Sequence, residues 1–220
     1  EGTPSVAMAD VSGDNVLDLI VGTGPGVAPE VVAYSGTDGG QGPFSSELAR
    51  FTPFDPGFRG GVSVAGADVD GNPSTDNIIV GSGPGTESRV TVFSSALPKV
   101  GDTPETFSTF TPYPGSRSGV TLATGTVDIG TGRPSIVTAP GPGEPAQVKT
   151  FRYDLYTPTE AAKARGATDE HSHDPAMTSE FLAYDPSYTG GVSLATGWVA
   201  GAEGEAGGGY GLDGAEAVAL

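Results

Sequence analysis

Apolar residues fall in short runs along the chain, each closed by glycine and proline. Leu19-Ile20-Val21 runs into Gly24-Pro25-Gly26, Ile78-Ile79-Val80 into Gly83-Pro84-Gly85, and Ile136-Val137 into Gly141-Pro142-Gly143. An apolar run this short, bounded by breakers, reads as a buried strand. Five residues past the last glycine of each triplet stands a valine, Val31, Val90 and Val148, inside a second strand-like run. One of these, Arg89-Val90-Thr91-Val92-Phe93, alternates polar and apolar residues, which predicts a half-buried strand. A further strand precedes each run: residues 5–9, 61–65, 119–123 and 191–195. A fourth follows, in 47–54, 107–113 and 181–184.

The pattern repeats. The Gly-Pro-Gly triplets begin at 24, 83 and 141, in steps of 59 and 58. A fixed period of this size indicates a repeat architecture and outranks any local reading. The expected fold is all-β, a β-propeller-like array of four-stranded blades with about 3.5 repeats of roughly 58 residues. The repeats are 1–60, 61–118, 119–190 and a partial fourth, 191–220. Solenoids compete as a repeat fold, but their units are usually shorter. Gly119 to Gly191 spans 72 residues against 58 for Gly61 to Gly119, which places an insertion at 156–178 that should project from its blade. Within it, Thr157-Pro158 and Gly166 bracket a short helix signal. The fourth repeat has a strand at 191–195, a glycine-rich stretch and a second strand at 215–220. It is two strands short, so completion by further blades or by another chain is expected, and exposed blade edges would invite such pairing.

Composition agrees. The 36 glycines and 19 prolines make up a quarter of the 220 residues, which excludes long helices over most of the length. With 36% hydrophobic residues held in runs, the chain is a turn-rich domain rather than a disordered one. The net charge of −17 disfavours nucleic acid and anionic membranes and leaves cations, basic proteins and neutral glycans open. Cysteine is absent, so no disulfide or thiol chemistry is available. No apolar stretch approaches the length of a membrane span. The chain begins at Glu1 without methionine, as a processed or excised segment would.

Chemistry concentrates between the first two strands of each repeat. Asp10, Ser12, Asp14 and Asp18 occupy positions 1, 3, 5 and 9 of a loop, with the Val16 carbonyl at position 7. Oxygen donors at alternate positions suit a hard cation such as Ca²⁺. The alternative is an Asx-turn loop in which the carboxylates bond their own backbone. The second loop offers Asp68, Asp70, Asn72, Ser74 through its carbonyl, and Asp76 at the same positions. The third, with Thr126, Asp128, Gly130 and Gly132, keeps one carboxylate and is expected to be empty.

Period, acidic loops and strands together resemble the FG-GAP/VCBS-type repeats of secreted bacterial propellers, cousins of the integrin α-subunit head. The resemblance rests on Asp68-Val69-Asp70-Gly71-Asn72, Asn77-Ile78-Ile79-Val80-Gly81-Ser82-Gly83-Pro84-Gly85, Arg89-Val90-Thr91-Val92-Phe93 and Phe110-Thr111-Pro112-Tyr113. It implies calcium loops and an extracellular, cell-surface or periplasmic setting. It also implies a non-catalytic role in adhesion, scaffolding or binding, with a protein, surface or glycan partner. Two departures occur at position 6, where the family carries glycine. Asn15 tolerates a left-handed backbone, whereas Pro73, with φ fixed near about −65°, does not.

Other features carry less. Phe54, Tyr113 and Tyr184 are equivalent positions, as are Phe58 and Tyr188. They serve either as a platform for glycan or protein, which a lectin-like role requires, or as packing between blades. Trp198, the single tryptophan, is expected to pack where the fourth repeat departs from the pattern. His171 and His173, flanked by carboxylates, present a pattern that Zn²⁺ or Cu²⁺ accept, and a metal centre there would mark a secreted enzyme. No nucleophile–base motif is evident, and the glycine triplets carry no lysine, so they read as turns rather than phosphate loops.

Overall fold

The computed structural model describes residues 2–37, 39–97, 102–127, 132–153 and 174–197, with the backbone of 217–219. Sheet 1 is an antiparallel meander of β1 (Ser5–Ala9), β2 (Asp18–Gly22), β3 (Val31–Tyr34) and β4 (Glu47–Phe51). Sheet 2 repeats it with β5 (Val62–Ala67), β6 (Asn77–Ser82), β7 (Val90–Phe93) and β8 (Thr106–Phe110). Sheet 3 repeats it again with β9 (Val120–Gly125), β10 (Ser135–Pro140), β11 (Gln147–Arg152) and β12 (Ala176–Leu182). A pair follows, β13 (Leu194–Thr196) antiparallel to β14 (Ala217–Ala219). No sheet closes on itself, and no helix occurs among the described residues. The expected helix signal, His171, His173 and Trp198 lie outside the described residues. The insertion read as 156–178 ends earlier than expected, because β12 already begins at Ala176. The pairing register with β11 draws Ala176 and Met177 opposite Arg152 and Phe151.

The sheets stack in chain order, with β1 beside β5, β5 beside β9 and β9 beside β13. Two apolar seams result. One joins Ile20, Val31, Ala33 and Phe51 of sheet 1 to Val62, Val64, Ile78, Val80 and Phe93 of sheet 2. The other joins Ile79, Val90 and Val92 of sheet 2 to Val120, Leu122, Ile136 and Phe151 of sheet 3. This corrects the half-buried reading of 89–93, since Val90, Thr91, Val92 and Phe93 are all buried. Successive strand residues point to opposite faces, and in sheet 2 each face has its own core. The period is the same as in a half-exposed strand, but both faces are covered.

The seams repeat in detail. Phe51 meets Phe93 edge-on at 4.8 Å and 64°, and one seam later Phe110 meets Phe151 at 4.8 Å and 48°. Tyr113 crosses from the end of β8 into sheet 3. Its hydroxyl reaches the carbonyl oxygens of Thr138 (2.9 Å) and Gln147 (2.8 Å), and the Lys149 ammonium sits 5.0 Å from its ring centroid. Burial pushes the phenol pKa well above its ordinary value. Tyr113→Phe leaves those carbonyls short of a donor and should cost about 1–3 kcal/mol, read from urea unfolding as a lower midpoint with an unchanged slope.

The glycine triplets make turns and also join sheets. Their third glycines have φ of 103°, 107° and 105° at Gly26, Gly85 and Gly143. These amides donate to Arg59, Arg117 and Thr189 at the following junction. The first glycines touch backbone: a Cβ on Gly83 would overlap the Gly60 carbonyl oxygen, and one on Gly141 that of Ser118.

Candidate metal loops

The loop from β1 to β2 folds around its own carboxylates. Asp10 accepts the amides of Gly13 (2.7 Å), Asp14 (3.2 Å) and Asn15 (2.7 Å). Asn15 takes the left-handed turn expected of position 6, with φ 63°, and Gly13 a similar one at 79°. Asp14 is exposed at the tip. It accepts the Val16 amide at 2.9 Å and the Thr37 hydroxyl, and these bonds hold its pKa below the ordinary aspartate value. Ser12 and Val16 are exposed beside it. Asp18 opens β2 and is wholly buried: one oxygen accepts Val11 (3.0 Å) and Ser12 (2.9 Å), the other Gly36 (2.9 Å).

The loop from β5 to β6 is one residue longer, and the extra residue changes who does what. Asn77, not Asp76, stands where Asp18 does. Its Oδ1 accepts Val69 (3.0 Å) and Asp70 (3.2 Å), and its Nδ2 donates to the Phe93 carbonyl and to Asp70. Asp68 accepts the Gly71 amide, Asp70 that of Asn72, and Asn72 that of Ser74. Pro73 takes no left-handed turn; Gly71 does, at φ 81°.

Asp76 is displaced toward the first loop, and the two loops interlock. The Asp76 carboxylate accepts the Asp10 amide at 2.9 Å, and the Asp10 carbonyl accepts the Asp76 amide at 2.7 Å. The Ser74 carbonyl faces Gly13, 2.9 Å from where a Cβ on that glycine would lie. Burial raises the pKa of Asp76 and of Asp68; neighbouring carboxylates add to it, Asp10 and Asp68 acting on Asp76, and Asp70 on Asp68. Among the described residues, no three His, Cys, Asp or Glu side chains converge as a ready metal-ligand group. In sheet 3 the equivalent position is Ser135, whose buried hydroxyl has no partner among the described residues. Thr126 lies in that loop, Asp128 and Gly130 lie outside the described residues, and Gly132 has φ 63°.

Sequence spacing counted from the first aspartate missed Asn77 and the Gly36 and Thr37 contacts. Counting back from the strand would have found Asn77, since Asp18 precedes Leu19-Ile20-Val21 as Asn77 precedes Ile78-Ile79-Val80. The repeated aromatics divide. Tyr113 is buried and Phe54 packs against the first seam, beside Phe58 at 6.2 Å. Tyr184 and Tyr188 are exposed, with rings 4.8 Å apart. Equivalent positions therefore do not form a repeated set of open aromatic pockets.

No family model matches the chain, and no curated protein matches it. Among solved structures, the chain is similar to the crystal structure of the exotype rhamnogalacturonan lyase YesX. Identity is 16% and the TM-score 0.53, over 90% of this chain and 37% of that one. The chain thus spans little more than a third of that enzyme's length, and at this identity the likeness is one of fold.

Proposed function

We propose that the chain is a calcium-stabilised, non-catalytic binding or scaffolding module, built as part of a β-propeller and working outside the cell. The stacking of consecutive four-stranded meanders, first strand beside first strand, supports the propeller. The observation that carries calcium is the interlocking of two acidic loops at one end of the stack. There Asp10, Asp68, Asp70 and Asp76 gather negative charge, and burial and neighbouring carboxylates raise the pKa of Asp68 and Asp76. A carboxylate has about four lone-pair sites, so accepting backbone amides does not exhaust these side chains. Calcium in the first loop would be held by Asp10, Ser12, Asp14, Asp18 and the Val16 carbonyl. In the second it would be held by Asp68, Asp70, Asn72 and the Ser74 carbonyl, with Asp76 turned toward the first loop. The ion's role is structural: it offsets repulsion and ties the β1–β2 loop to the β5–β6 loop. Partner contacts then fall to the exposed rims, with a protein or surface ligand or a glycan as the class.

Thermal unfolding in calcium and in EDTA tests this. A ligand bound only by the folded state adds about 2.7 kcal/mol at one hundred times its Kd, which is about 5–10 °C for a chain of this size. Asp14→Ala should abolish most of that gain while leaving the EDTA melting temperature nearly unchanged, because Asp14 is exposed. Equal melting temperatures in calcium and EDTA would refute the calcium reading.

A further inference from the structure

Sheet 1 gives one face to sheet 2 and leaves the other open among the described residues. On the open face stand Val6 (63% exposed), Met8 (46%), Leu19, Val21 and Tyr34. The pairing register makes them one surface: Val6 lies opposite Val21, Met8 opposite Leu19, and Leu19 opposite Tyr34.

The next two sheets show what such a surface does. The place of Val6 is taken by Val64 and Leu122, that of Leu19 by Ile78 and Ile136, and that of Tyr34 by Phe93 and Phe151; all six are buried. Each of these surfaces is covered by the far face of the preceding sheet. In each seam the last-strand phenylalanine of that sheet, Phe51 or Phe110, meets the third-strand phenylalanine of the next. We propose that the open face of sheet 1 is a docking face for a further four-stranded sheet of this same repeat pattern, linked in tandem, with its last-strand aromatic packed against Tyr34. The proposal is independent of calcium.

A second copy of the chain is a poorer occupant. The matching far face it would offer belongs to sheet 3, and β13 already covers the inner part. There Val192 and Leu194 pack on Ala123, Val137 and Val148. Met8 is larger than its equivalents, Gly66 and Thr124. A Cβ on Gly66 would overlap the Ala9 methyl of the preceding sheet, whereas Thr124 is accommodated and donates to the Gly66 carbonyl of the preceding sheet. The sheet docking on Met8 therefore leaves more room there than Ala9 leaves at Gly66.

The chain has no cysteine, so Val6→Cys is a unique thiol reporter. The test fuses a second copy of residues 61–118 ahead of Thr3, so that residue 118 leads into Thr3 as it leads into Gly119. Met8→Thr is introduced in the fused and unfused proteins alike, to match Thr124. Maleimide labelling of the Val6→Cys thiol should be fast in the unfused chain and about 100-fold slower in the fusion, close to the rate of Val64→Cys in an existing seam. The fusion should also melt cooperatively and at a higher temperature. Equal labelling rates in the two proteins would overturn the proposal. So would an unfused chain that sediments as a dimer with the reporter thiol already protected, which would make a second copy the occupant.

Discussion

Asp18→Ala is expected to destabilise the fold by about 2–4 kcal/mol, because it strands the buried amide of Val11 at about 1–3 kcal/mol and removes the bonds to the part-buried amides of Ser12 and Gly36, which water partly replaces. Asp18→Asn should fall between wild type and alanine. Its Oδ1 keeps the Val11 and Ser12 bonds, as Asn77 does for Val69 and Asp70. Its NH₂ then faces the Gly36 amide, donor against donor. In sheet 2 the corresponding NH₂ has acceptors, the Phe93 carbonyl and Asp70. The order wild type, Asn, Ala in urea unfolding is the expected result. An alanine variant as stable as wild type would show that Asp18 does not organise the loop.

The second large effect lies in the glycine triplets. Gly83→Ala should cost about 3 kcal/mol, since its Cβ meets the Gly60 carbonyl, part of a backbone junction that cannot swing aside. For a chain this long that is about 6–12 °C in melting temperature. Gly85→Ala, two residues on, should cost about 1–2 kcal/mol from backbone strain alone, because its φ is 107° and no atom lies near an added Cβ. Calorimetry of the two variants separates close approach from conformational freedom. Equal effects would show that the triplets act only as turns.

Much of this fold is legible in the sequence because it is written three times. The period fixes the strands: Ser5–Ala9 falls where the apolar pattern puts it, and Val31, Val90 and Val148, each five residues past its triplet, lie in β3, β7 and β11. The alternation in 89–93 misled because a sequence records which residues share a face, not whether a neighbour covers it. Val90 and Val92 go to one seam and Phe93 to the other. The loops were half legible. Alternate oxygens and the left-handed Asn15 could be read locally. The one-residue offset that puts Asn77 in the role of Asp18 and sends Asp76 to Asp10 depends on contacts between sheets, across 66 positions of chain.

Isothermal titration of calcium into the EDTA-stripped 220-residue chain asks whether the acidic loops bind the ion. Saturable binding with at least one site per chain is expected, lost when Asp10 and Asp14 are both changed to alanine and retained when Glu144 is changed instead. An absence of binding heat together with an unchanged melting temperature in millimolar calcium would contradict it. The loops would then be held by their own backbone hydrogen bonds alone.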